Sequence, residues 1–210
     1  MKTRICKVIV LASTAYAMYR MAHWTIGFTF FTQLSNLFAA AVALLQLIPR
    51  LDRRLRLTKY TATVSIAITF LVYLLFLAPL VPGGIVAAYA QDHWASLCLH
   101  VVTPLSCVAD FFNSDASLRR WRGRDALWAL LPPVLWLIGI RILGQCGLRW
   151  HGMAAPYPFL NYAAPAGWFG WMPETASASS PGFGVALLLV LFIAVGRALL
   201  AAARRIRGKE

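Results

Sequence analysis

Acidic side chains are scarce in this chain. Seven Asp and Glu stand against twenty Lys and Arg in 210 residues, and charged residues of both signs make up only 13%. Ordinary soluble domains carry about 25% charged residues. A deficit of that size argues against a water-soluble globule. Cysteine is sparse too. Cys6, Cys98, Cys107 and Cys146 form no CxxC pair and no metal-ligating spacing, so all four read as small core residues. His93, His100 and His151 lack a carboxylate or cysteine partner at ligand spacing, so no metal and no cofactor is implied. There is no internal repeat and no room for a soluble domain.

What is abundant is apolar sequence: 60% of residues are hydrophobic and the mean hydropathy is +0.67. Repeated apolar runs of about 18 to 22 residues are long enough to cross a bilayer as helices. The expectation is an all-α polytopic membrane protein. It is one domain, residues 1–210, with six spans near 5–22, 29–48, 60–80, 93–113, 125–146 and 182–203. The first span is short and preceded by Lys2, Arg4 and Lys7. Ala15-Tyr16-Ala17 resembles a signal-peptidase site, but an uncleaved first helix agrees better with the distribution of charge.

Sixteen of the twenty basic residues fall in four clusters: before span 1, at 50–59, at 119–124, and after span 6. With six spans, all four clusters lie on one side. That is the positive-inside pattern, and it puts both termini in the cytoplasm of an inner-membrane protein. Juxtamembrane basic clusters also attract anionic headgroups, which accounts for the net charge of +13 without nucleic acid. The expected partners are the bilayer and a lipid; the sequence does not set an oligomeric state. The last outer loop, 147–181, is long and rich in Trp, Tyr, Pro and Gly. Its first half is expected to cover the outer face, and Pro132-Pro133 to kink span 5. Arg197 in span 6 can snorkel toward the cytoplasm.

Two spans carry polar stripes. On span 2, Thr25, Thr29, Thr32, Ser35 and Asn36 would share an arc of about 120° at 100° per residue. On span 4, His93, Ser96, His100, Thr103, Cys107 and Asp110 would share about 100°. Facing lipid, each unpaired group would cost several kcal/mol, so the stripes should face each other or water. By helical rise Thr32 and His100 both sit roughly 12 Å below the outer surface, and Arg141 of span 5 about 9 Å down. A hydroxyl needs a base to become a nucleophile, histidine is the usual base near neutral pH, and an oxyanion needs a fixed donor. Thr32 is the candidate nucleophile and His100 the base. Arg141 or Asn36 would be the donor, and Ser35 a competing nucleophile one turn below Thr32. Asp92 and Asp110 lie one to three turns from His100, and neither clearly orients it.

FFTQLSN at 30–36, LHVVTP at 99–104 and PYPFLN at 156–161 resemble the androgen-induced membrane-protein family and its bacterial relatives. In span count and motif order the resemblance covers nearly the whole chain. It implies a six-span threonine hydrolase cleaving fatty acid esters, with esters of hydroxy fatty acids as the animal substrates. Thr32 matches the nucleophilic threonine and His100 the catalytic histidine. His93, Tyr157 and Phe159 are further supporting or substrate-binding candidates. The His100-to-Pro104 spacing is one residue shorter than in animal members, and Ser35 stands where those carry an acidic residue. The expected activity is therefore intramembrane hydrolysis of a lipid ester from the outer leaflet. The alternative is a small transporter or channel with a path lined by Thr, Asn, His and Arg. Haem or quinone electron transfer fits less well, because His100 is the one deep histidine.

Overall fold

A computed structural model describes residues 2–52, 54–113, 123–157, 160 and 181–207. Among these there is no strand. The helices are α1 (Lys2–Arg20), α2 (Phe31–Leu45), the short α3 (Pro49–Asp52), α4 (Arg56–Val72), α5 (Gly84–Leu97), α6 (Thr103–Asn113), α7 (Leu131–Gln145) and α8 (Pro181–Arg207). Four helical stretches are long and apolar enough to cross a membrane: Arg56–Leu80, Gly84–Asn113, Gly123–Gln145 and Val185–Ile206. α2 is apolar but shorter. α1 carries Lys2, Arg4, Lys7 and Arg20 and is not among the four. The helical class expected from composition is present, and among the described residues four helices, where six spans were expected, are long and apolar enough to cross a membrane.

Prolines shape the long spans. A proline at position i has no N–H and its ring collides with the carbonyl of residue i−4. Ahead of Pro104 the helix widens into a π-turn, Cys98–Val102, and the Thr103 N–H bonds the Cys98 carbonyl five residues back. Ahead of Pro79 the same happens at Tyr73–Leu77, where the Ala78 N–H reaches Tyr73. Pro132 and Pro133 act differently from the expected kink. They fall in the first turn of α7, where a 3-10 helix at Gly123–Leu130 passes into α-helix. Proline is tolerated there because first-turn N–H groups have no intrahelical acceptor.

The expected span 4 begins after a break. Gly83 and Gly84, at φ +89° and +79°, turn the chain into α5. Asp92, His93 and Trp94 then take left-handed conformations at φ 50°, 55° and 70°. Each such residue costs on the order of 1–3 kcal/mol. The Tyr16 hydroxyl donates to the His93 carbonyl at 2.6 Å and steadies the turn.

α1 packs along α6, and α2 lies between α1 and α4. Buried polar pairs join these helices. Ser13 and Thr103 share a 2.7 Å hydrogen bond. Lys7 Nζ and Lys59 Nζ approach the two carboxylate oxygens of Asp110 at 3.2 and 2.5 Å. Cys107 is buried, whereas Cys146 is exposed, which corrects its reading as a core residue. Arg197 is exposed.

α8 meets α4 and the 123–130 helix around Tyr60, Ala126, Ala129 and Phe192. Lipid tails give no hydrophobic drive between helices, so close van der Waals contact at small residues does this work. Gly196 is the close-approach point: a β-carbon there would collide with the Tyr60 hydroxyl and sit 3.4 Å from Ala129 Cβ. Gly196→Val should cost roughly 1–3 kcal/mol through overpacking, read as a lower thermal midpoint in detergent micelles. An unchanged midpoint would mean α8 does not approach α4 this closely.

Candidate functional site

The first turn of α2 organises the site. Phe30 is extended at φ −76°, ψ 146°, so α2 starts abruptly and Thr32 lies in its first turn. The opening N–H groups of a helix have no intrahelical acceptor and carry the positive end of its dipole. Here they find the hydroxyl of Tyr157. It bonds the Thr32 side chain, with 3.4 Å between the two hydroxyl oxygens, and it bonds the backbone at Phe31 and Thr32. Two tryptophans hold this corner. Trp150 Nε1–H donates to Thr29 Oγ1 at 2.6 Å, and Trp136 Nε1–H donates to the Thr29 carbonyl at 2.9 Å. Phe30 and Tyr157 meet edge to face at 5.4 Å.

Beside Thr32 lies a cavity of about 30 Å³, bordered also by Phe31, Thr69, Tyr73, Trp136 and Tyr157. By this measure one water needs roughly 10–15 Å³, so about two fit. His100 does not border the cavity. It sits one ring behind, stacked on Tyr73 with centroids 3.5 Å apart and planes 9° apart. The His100 ring is 7% exposed. It bonds the Thr69 backbone, while Nδ1 is buried with no hydrogen-bond partner among the described residues. Nε2 therefore makes the Thr69 bond, and Nδ1 keeps an uncommitted lone pair. Leaving a buried acceptor unsatisfied costs about 1–3 kcal/mol. Thr32 and His100 share no direct hydrogen bond.

Asn36 ties the two helices together. Because Thr103 bonds Cys98, the Leu99 carbonyl is released from the helix ladder, and Asn36 Nδ2–H donates to it at 3.2 Å. The same amide donates to the Thr32 carbonyl at 2.8 Å. Ser35 is committed elsewhere, to the Thr32 carbonyl at 3.0 Å and Thr69 Oγ1 at 2.9 Å. Tyr73, held by the Ala88 carbonyl at 2.9 Å and Ser96 Oγ at 2.8 Å, fixes the plane on which His100 lies.

The structure thus gathers Thr32, Ser35, Asn36, His100 and Tyr157 in one region, and adds Thr69, Tyr73 and the α2 backbone, which the sequence reading passed over. Pro79 and Pro104 were the available signals for Tyr73 and His100, since π-turns recur at functional positions. Two candidates lie elsewhere. His93 is exposed in the left-handed turn, off the helical stripe assigned to it, because the helix is broken at that point. Arg141 is exposed on α7 and borders none of the cavity, so equal depth did not bring it to Thr32. Thr25 and Thr29 belong to a 3-10 turn before α2, not to the same helical arc. Phe159 lies outside the described residues.

No protein-family model matches the chain, and neither does a curated protein or a solved structure.

Burial raises the Tyr157 phenol above its usual value of 10.0, against the opposing hydrogen bonds from Thr32 and Phe31. A raised folded-state pKa means that the stabilisation is complete below the unfolded value and is lost as pH rises through the folded one. A spectrophotometric titration of wild type against Tyr157→Phe should show the Tyr157 phenolate appearing only above pH 10. A difference signal centred at 10 would show the hydroxyl to be solvated.

Proposed function

We propose that this protein is an intramembrane lipid-ester hydrolase with Thr32 as nucleophile and His100 as general base, acting on fatty acid esters from the outer leaflet. In this reading the chain crosses the bilayer six times, α1 and α2 supplying the spans beyond the four long ones, with both termini in the cytoplasm. The observation that carries it is the first turn of α2. There a hydroxyl on the cavity wall stands beside backbone donors that already hold an oxygen atom, that of Tyr157. Nearby a buried imidazole keeps Nδ1 unbonded.

The chemistry runs as follows. The ester carbonyl oxygen displaces the Tyr157 hydroxyl and takes the Phe31 and Thr32 N–H groups. Thr32 Oγ1 attacks the carbonyl carbon and its proton passes by way of water to His100, which Tyr73 separates from the cavity. The oxyanion is held by the backbone N–H groups, a geometry that strengthens as charge develops. Collapse expels the alcohol, which takes the proton back from His100. Water, deprotonated by His100, then attacks the acyl–Thr32 ester; collapse releases the fatty acid, and Thr32 Oγ1 takes the proton back from His100. The resemblance of 30–36, 99–104 and 156–161 to the androgen-induced membrane-protein family points the same way.

A second reading, a small transporter, draws on a different observation. The Lys7–Asp110–Lys59 group and the Ser13–Thr103 pair continue buried polarity along α6 away from Thr32. Ionisable groups within spans often mark transport paths.

Thr32→Ala and His100→Ala should each abolish labelling by a fluorophosphonate probe in folded protein, whereas Ser35→Ala should still be labelled. Labelling that survives Thr32→Ala and vanishes with Ser35→Ala would move the nucleophile to Ser35. For the second reading, Asp110→Asn should stop solute flux in proteoliposomes. A wild type that the probe never labels, but whose flux depends on Asp110, would replace the hydrolase by a transporter.

A further inference from the structure

A second, much larger space lies on the other side of Phe31 and Trp136. It is a groove of about 710 Å³ between α2, α4 and α7, within the range of about 300–1,000 Å³ common for small-molecule sites. Its walls include Phe38, Leu57, Leu135, Ile140 and Leu143. Leu34, Leu131 and Leu135 along it are exposed, the last two on a stretch apolar enough to cross a membrane, so in the six-span reading it opens sideways toward lipid. Along the 3-10 segment and α7 it runs from Trp128 to Leu143, roughly 24 Å at about 2.0 Å per 3-10 residue and 1.5 Å per α-helical residue.

Five hydroxyls line this groove, and they would suggest a polar ligand. Four of them are already spent. Thr61 Oγ1 donates to the Thr58 carbonyl and Ser65 Oγ to the Thr61 carbonyl, both at 2.9 Å. Ser35 bonds the Thr32 carbonyl, and Thr29 donates to the Ile26 carbonyl while accepting from Trp150. Such back-bonding leaves the groove with carbon facing inward. It accepts hydrocarbon and offers a polar headgroup little.

The Phe31 and Trp136 rings, 5.3 Å apart and steeply tilted, border both spaces. Trp136 is pinned by its bond to the Thr29 carbonyl. We infer that the α2–α4–α7 groove holds one long acyl chain and that Phe31 and Trp136 form the partition across which the chain's carbonyl end reaches Thr32. The direction of the chain rests on the hydrolase reading; the occupancy of the groove does not.

Gly139 tests this. It lines the groove, and an added β-carbon there meets nothing within 4 Å, so a side chain at this position starts into open space. Full-length protein in nanodiscs would be photolabelled with a palmitic acid carrying a diazirine near its methyl end, in the Thr32→Ala background. The expected labels fall on peptides covering 57–65 and 131–143 and are strongly reduced by Gly139→Phe. In parallel, the ratio of p-nitrophenyl palmitate to p-nitrophenyl butyrate hydrolysis should fall about ten-fold or more in Gly139→Phe. Gly139→Leu serves if the phenylalanine variant does not fold. Labels spread evenly over lipid-facing positions, α8 included, and unmoved by either variant would overturn the groove as a site. Labelling displaced by Gly139→Phe in a protein that hydrolyses neither ester keeps the acyl site and removes the hydrolase. Ester hydrolysis with an unchanged ratio and unmoved labels does the reverse.

Discussion

A polar group within a bilayer has no water to bond, so the protein must satisfy it internally. That constraint organises these helices. Asn36, fully buried, spends its amide N–H groups on two backbone carbonyls, one on its own helix and one on the π-turn before α6. Tyr73, in the π-turn after α4, reaches two groups of α5, the Ala88 carbonyl and the Ser96 hydroxyl. Deeper along α6, Asp110 takes ammonium groups from α1 and α4. Each link fixes a helix rotation that apolar packing in lipid would leave loose, because lipid tails are as good a partner as leucine.

The backbone participates as much as the side chains. Pro104 widens the helix ahead of it, the Leu99 carbonyl comes free, and Asn36 takes it. Pro79 widens the other span at Tyr73, and the two widened turns meet in the stacked pair Tyr73–His100. The abrupt start of α2 exposes amide groups beside Thr32. In the proposed chemistry these amides stabilise charge. A guanidinium at Arg141, expected at the right depth, is on the exposed side of α7. Depth along a span is legible from residue counting; rotation about its axis depends on the neighbours.

The same limit explains the other differences between expectation and structure. Ser35 and Thr32 look equivalent as hydroxyls one turn apart, but Ser35 is bonded to Thr69 on α4, a partner no spacing on span 2 could reveal. His93 matched the period of the span 4 stripe, yet three left-handed residues break the helix there. The aromatic 147–181 loop was expected as a cover, and Trp150 and Tyr157 do pack against the start of α2.

By itself the sequence determined the helical class, the membrane-crossing character of the long apolar stretches and the presence of polar residues that had to turn inward. These follow from composition, run length and period, which are local and additive. The tertiary structure alone decided which hydroxyl is left with a single weak partner, which imidazole nitrogen is uncommitted, and that a large apolar groove and a small cavity share one aromatic wall. Those outcomes depend on how helices distant in sequence rotate and bend against one another, and the bends come from backbone bonds displaced at Pro79 and Pro104.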